Sequence, residues 1–303
     1  LNNVKTADVH LAGLVTIPYI TANITEDFVN NYNRGDITFN NCICTATGNT
    51  NCRIAGLVAL TASTTSYGTL STDNQVAWKD CANYGNINLN DFKPGPNSTT
   101  KYGRTMVSGC FCTYYTGHFD LDNCDNHGEV KLNRVVSNCN LFIGGVIAYW
   151  GASSAISNID AYIKNCDNTK TVSVNTSAPA TEQTGSGEGF MVGGVIAASY
   201  MNTDLGQSLT LTNLTNSGDV IVDGNYVSKN ASRNCIGGVS GDYYTYGTLT
   251  NCHNEGAVKF TPDATSKSTN THTYVGGVLA YNYPYVQNKG TKLTYCTNKG
   301  AVE

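Results

Sequence analysis

Two short motifs alternate along this chain from one end to the other, and no other feature constrains its folding as tightly. The first is a pair of small residues followed by apolar ones: Ala12-Gly13-Leu14-Val15, Ala55-Gly56-Leu57-Val58, Ser108-Gly109-Cys110-Phe111 and Gly144-Gly145-Val146-Ile147. It continues as Gly193-Gly194-Val195-Ile196, Gly237-Gly238-Val239 and Gly276-Gly277-Val278-Leu279. The second is Asn-x-Gly-x-Val/Ile, beginning at Asn33, Asn83, Asn126, Asn216, Asn254 and Asn298, with a degenerate copy at Asn168 where Lys170 replaces the Gly. The second small residue falls at 13, 56, 109, 145, 194, 238 and 277, an average spacing of 44.

Each copy carries three short segments rich in β-branched residues, which read as strands. One holds the small-residue pair, as in Thr273 to Ala280; one precedes the Asn, as in Thr248 to Asn251; one follows it, as in Ala257 to Phe260. A single period running the length of the chain favours stacking over a sandwich of hairpins. The expected fold is therefore all-β: a parallel β-solenoid of three short strands per coil and about seven coils. Each coil sits about 4.8 Å above the last. Residues 1–303 form one repeat domain, expected to be part of a longer surface protein or assembly.

The Asn recurs in every copy: Asn33, Asn83, Asn126, Asn168, Asn216, Asn254 and Asn298. Stacked amides can donate and accept along the solenoid axis, so these seven are expected to form a ladder. Asn also tolerates the left-handed conformation of a sharp corner, and the Gly two residues later is expected to supply a positive φ there. Five of the 12 cysteines, Cys81, Cys124, Cys166, Cys252 and Cys296, lie two residues before the Asn, and Leu214 takes the same slot in another copy. A slot shared by Cys and Leu is apolar, and free buried thiols are expected there. Cys42/Cys44 and Cys110/Cys112 are spaced to share a strand face, which burial explains without a metal.

Composition narrows the function. With 37 Asn, 38 Thr and 31 Gly against 6 Pro and 3 Met, the chain suits short strands joined by turns rather than a helical enzyme. A net charge of −4 lacks the basic footprint of a nucleic-acid binder. No run approaches 18 apolar residues, so no membrane-inserted helix is expected. The five histidines lack metal spacing, no phosphate loop, dinucleotide fingerprint or nucleophile elbow is present, and no cofactor is implied. The densest acidic patch, Asp120, Asp122, Asp125 and Glu129, could serve glycoside cleavage, but alternation makes Asp120 and Asp122 the solvent face opposite Phe119 and Leu121.

The run Gly237-Gly238-Val239-Ser240-Gly241 followed by Gly247 to Val258 resembles the GLUG repeat of bacterial surface proteins. So do Gly276 to Ala280 with Leu293 to Val302, and Gly144 to Ala148 with Asn165 to Val172. Members of that family are long secreted or cell-wall proteins, adhesin-like proteins among them. The resemblance implies an extracellular or cell-surface, non-catalytic repeat region, and it brings no catalytic residues.

Tyrosine is the remaining signal. Eleven of the 19 Tyr fall within four to eight residues after the second small residue of a copy, and the sixth position is Tyr19, Tyr115, Tyr200, Tyr244 and Tyr283. Equal offsets stack in a solenoid, so a Tyr-rich edge is expected. The candidate ligand-binding residues are Tyr115, Tyr149, Trp150, Tyr200, Tyr244 and Tyr283. Rigid aromatic surface suits a glycan or a host or cell-surface protein. A structural spacer that self-assembles end to end is the alternative, and a carbohydrate-active β-helix enzyme the second.

Overall fold

The computed structural model describes residues 1–3, 5–6, 9–16, 25–44, 51–59, 61–62, 75–93, 104–112, 114–115, 118–136, 140–151, 157–177, 189–201, 203–229, 233–269, 272–283 and 290–303. It is a parallel β-solenoid. Every pairing runs between strands of successive coils, and none of the ladders is antiparallel among the described residues. The one helical turn among the described residues is Thr203–Leu205, and no helix there is long and apolar enough to cross a membrane.

Each coil contributes to four sheets, numbered here in chain order. Sheet 1 holds the strand that ends on the first small residue, as in Asn140–Gly144, Phe190–Gly193, Arg233–Gly237 and His272–Gly276. Sheet 2 holds the strand just after the pair, as in Ile147–Gly151, Ile196–Tyr200, Ser240–Tyr244 and Leu279–Asn282. Sheet 3 precedes the Asn, as in Asp160–Lys164 and Ser208–Thr212, and sheet 4 follows it, as in Val172–Ser177 and Val220–Gly224. The segment expected as one strand from Thr273 to Ala280 is thus two strands in different sheets. The chain doubles back between them at Gly276-Gly277.

Close approach explains the glycine pair. A Cβ on Gly144 would fall 1.9 Å from the Ile147 carbonyl oxygen, and one on Gly145 would fall 2.0 Å from the Gly194 oxygen. The same fold-back places sheets 1 and 2 face to face on the outside of the coil, as the walls of a notch. Three apolar clusters result. One lies between sheets 1 and 4, around Ile143, Val130, Val172 and Val220. A second lies between sheets 2 and 3, around Val146, Ile147, Trp150, Ile163 and Leu211. The third fills the notch, where Phe142, Met191 and Cys235 of sheet 1 meet Ala148, Tyr149 and Ala198 of sheet 2.

The two inner lobes are pinched where the two motifs touch. In all seven coils a Cβ on the second small residue would lie 2.1–2.6 Å from the side chain of the motif Asn, from Gly13 against Asn33 to Gly277 against Asn298. Only hydrogen fits. The Asn ladder is continuous: each Nδ2 donates to the Oδ1 of the next coil's Asn at 2.7–2.8 Å, from Asn33 through Asn83, Asn126, Asn168, Asn216 and Asn254 to Asn298. Each Nδ2 also donates to the carbonyl two residues on, such as Gly128 for Asn126 and Lys170 for Asn168. Both amide donors are satisfied, which a buried polar group requires.

The positive-φ expectation is corrected. No Asn-x-Gly glycine has positive φ; at this corner the left-handed residues are Asn30, Asp80, Asn123, Asn165, Asn213, Asn251 and Tyr295, three positions before the ladder, with φ of 54–58°. The Gly is needed for a different reason: a Cβ on Gly128 would fall 2.0 Å from the Gly85 oxygen of the coil before. The left-handed Asn residues form an exposed second ladder in which Asn213 donates to Asn165 and Asn251 to Asn213, each at 2.9 Å.

Nine described cysteines are free, and all but Cys296 are fully buried; Cys52 is disulfide-bonded. The expected shared face of Cys110 and Cys112 does not hold. Cys110 joins the lobe between sheets 2 and 3 and Cys112 the notch, because the corner at Gly109 interrupts strict alternation. Cys44 has no described side chain.

Candidate binding surface at the notch

In its last three coils the lip of the notch is aromatic. Tyr200, Tyr244 and Tyr283 share one register position in sheet 2: the rings of Tyr200 and Tyr244 stack with centroids 5.0 Å apart and planes 11° apart. Tyr244 and Tyr283 follow at 5.3 Å and 23°. Tyr200 and Tyr283 are 45% and 46% exposed. Parallel strands spaced one coil apart place equivalent rings near stacking distance, so the backbone repeat builds the column.

The other expected site residues fall elsewhere. Trp150 is 1% exposed and lies inside the lobe between sheets 2 and 3, in register with Ser199 and Tyr243. Tyr149 is buried in the notch, edge-on to Phe142 at 5.2 Å. The strand Tyr114–Tyr115 pairs with sheet 2 of the next coil, but the Tyr115 side chain lies outside the described residues, as does Tyr19. In the register between Tyr115 and Tyr200 stands Gly151, so the column is interrupted in the fourth coil. A Cβ there would press on Tyr149 Cε1 at 2.8 Å.

Two charged residues join the notch. Arg233 of sheet 1 donates from Nε and Nη2 to Oδ2 of Asp242 in sheet 2, at 3.0 and 2.8 Å, with the side chains 17% and 6% exposed. The guanidinium also lies 5.2 Å from the Tyr244 ring centroid and 4.6 Å from that of Tyr281. Burial works against the Arg233 charge, but the Asp242 carboxylate outweighs it and holds the guanidinium above its ordinary pKa. Burial raises the pKa of Tyr281 beside it.

A cavity of about 200 Å³ opens beside this pair, lined by Phe142, Met191, Ala198, Tyr200, Arg233 and Asp242 among others. Register explains the space. One notch column runs Tyr149, Ala198, Asp242, Tyr281 through successive coils, and the small Ala198 leaves a gap between two larger neighbours. Nothing in the repeat pattern marked Arg233 or Asp242. The signal was there in retrospect, since opposite charges stand four residues before and four after the Gly237-Gly238 pair.

The acidic patch is engaged on sheet 3. Asp122 pairs with Lys164 at 3.1 Å and accepts from Asn165, Asp120 accepts from the Tyr162 backbone N–H, and Asp125 accepts from the Asp167 backbone N–H. Burial raises the Asp125 pKa. No group of three or more His, Cys, Asp or Glu stands ready to hold a metal among the described residues. A smaller aromatic cluster at the ladder corner was not foreseen: Tyr84 stacks on His127 at 4.9 Å with Arg34 5.0 Å from its ring. No protein-family model, curated protein or solved structure matches the chain.

Proposed function

We propose that this chain is an extracellular, non-catalytic repeat region that binds glycan or host-cell-surface protein through the tyrosine lip of its notch. The observation that carries the reading is the stack of Tyr200, Tyr244 and Tyr283, whose two outer rings are exposed. Exposed aromatic rings held at fixed spacing by a rigid sheet give contact area with little entropy left to lose on binding. The resemblance to GLUG repeats of bacterial surface proteins supports the extracellular setting. The test is a glycan and host-protein array probed with the chain and with a Tyr244→Ala/Tyr283→Ala variant. Binding falls in the variant while its circular dichroism is unchanged; undiminished binding discards the lip as a site.

A second reading, a spacer or filament segment, draws on the last coil. Leu293 and Val302 are about half exposed there, at positions that are buried one coil earlier. Asn298 of the same coil is exposed and donates to the Gly300 carbonyl. Such a face suits the stacking of another coil or copy. Sedimentation velocity across a hundredfold concentration range tests it: concentration-dependent growth supports the reading, and a fixed monomer removes it.

A further inference from the structure

Resting on that reading, we propose that the cavity beside Arg233 and Asp242 is a subsite for one neutral sugar ring, whose attached glycan runs along the tyrosine lip. Three features converge. The first is the charge pair itself. Taking two charges out of water is costly, and a hydrophobic pair of similar volume serves packing as well or better. At the same register positions the two preceding coils hold Tyr149 and Ala198 in place of Asp242, and Asn140 and Gly189 in place of Arg233, without charge. The pair is thus not a demand of the fold, which points to a binding role.

The second feature is its chemistry. Arg233 and Asp242 neutralise each other, so the cavity has no net charge to attract a strongly ionic ligand. Arg233 directs Nε and Nη2 to one Asp242 oxygen, so a donor fork and an acceptor stand side by side in the cavity wall. A planar donor fork beside an acceptor matches neighbouring sugar hydroxyls, each of which both accepts and donates.

The third is shape. The space of about 200 Å³ lies below the roughly 300–1,000 Å³ of drug-sized pockets, so it suits a single ring. Apolar Phe142, Met191 and Ala198 line it together with the Tyr200 and Tyr244 rings that form the lip. A sugar has an apolar C–H face and a polar rim, and this lining offers both kinds of surface.

The test is calorimetric titration of the full chain with methyl glycosides of the common hexoses and N-acetylhexosamines, alongside acetate and tetramethylammonium. At least one neutral glycoside binds, and neither ion does. Ala198→Leu fills the gap and lowers that affinity at least tenfold. Tyr162→Ala, which removes an exposed ring on sheet 3 outside the notch, leaves it within twofold. If Ala198→Leu fails to fold by circular dichroism, Asp242→Asn takes its place, with the same tenfold loss expected. Parent-like affinity in the folded filling variant overturns the subsite, and the lip reading survives if the Tyr244→Ala/Tyr283→Ala array loss stands. Binding of an ion alone overturns the neutral-sugar class, and binding of no probe overturns the proposal outright.

Discussion

The asparagine ladder and the tyrosine column are both one-residue-per-coil stacks, yet one spans all seven coils and the other only three in succession. The ladder runs from Asn33 to Asn298 through a pinch where a Cβ on the facing glycine has no room. The tyrosine column is interrupted at Gly151. Burial makes the difference. A ladder amide that loses its neighbour leaves a buried donor or acceptor unpaired, at about 1–3 kcal/mol each. An exposed ring that loses its neighbour is simply solvated. The inner stack is held by the fold; the outer one is free to vary coil by coil, which is where a binding function has room to be placed.

Alkali tests the interior most severely. Burial, foremost, holds the thiols of Cys110, Cys112, Cys124, Cys235 and Cys252 above their ordinary range, Cys112 and Cys252 to about 12. The unfolded chain ionises them from about pH 8.5. Folded-state pKa values raised in this way leave stability intact below that pH and erode it above. Each thiol removes about 2 kcal/mol by pH 10, so five together outweigh any single substitution. The urea midpoint under reductant stays flat from pH 6 to 8 and falls steeply beyond pH 9; a flat profile to pH 10 means the interior is open to water.

Asn168→Ala comes next. It strips the Asn126 donor and the Asn216 acceptor of their partners in the middle of the ladder, for a loss of about 4 kcal/mol by denaturant unfolding. Asn298→Ala at the exposed end costs about 1 kcal/mol. Equal losses at the two sites undo the claim that burial sets the ladder's value. Gly194→Ala drives a Cβ to 2.1 Å from the Gly238 oxygen and 2.2 Å from Asn216 Cγ, and costs about 3 kcal/mol. Gly290→Ala, with nothing within 4 Å, stays within about 0.5 kcal/mol. The smallest effect belongs to the lip. Tyr283→Ala changes the unfolding free energy by less than about 1 kcal/mol, and a larger loss makes the column structural rather than a binding surface.

Much of this was legible in the sequence. Period, stacking direction, ladder membership and the stacking of Tyr200, Tyr244 and Tyr283 all follow from equal offsets in a parallel coil. Trp150 went astray because the strand after Gly145 turns alternate residues to different clusters, so Trp150 points into a lobe while Tyr149 points into the notch. The positive-φ role went to the wrong residue for a related reason. Asn and Gly both tolerate left-handed backbone and both fit tight contacts, and composition does not separate the two uses. The Arg233–Asp242 pair stood outside the repeat pattern because it occurs once, so its charges flanking Gly237-Gly238 carried no periodic signal.

By itself the sequence favoured a parallel stack over a sandwich of hairpins, since one period of 44 residues with β-branched strands and one Asn per coil buries its apolar faces and pairs its amides by stacking. Only the tertiary structure decided that the two motifs touch. The alternation of Gly-Gly and Asn-x-Gly states that both are required, but not that Gly145 and Asn168 meet across the coil. That contact depends on where the chain folds back, which is set by carbonyl-to-Cβ distances of a few ångströms that no linear spacing encodes. The same fold-back turns part of sheet 1 outward against sheet 2 and makes the notch in which the cavity lies.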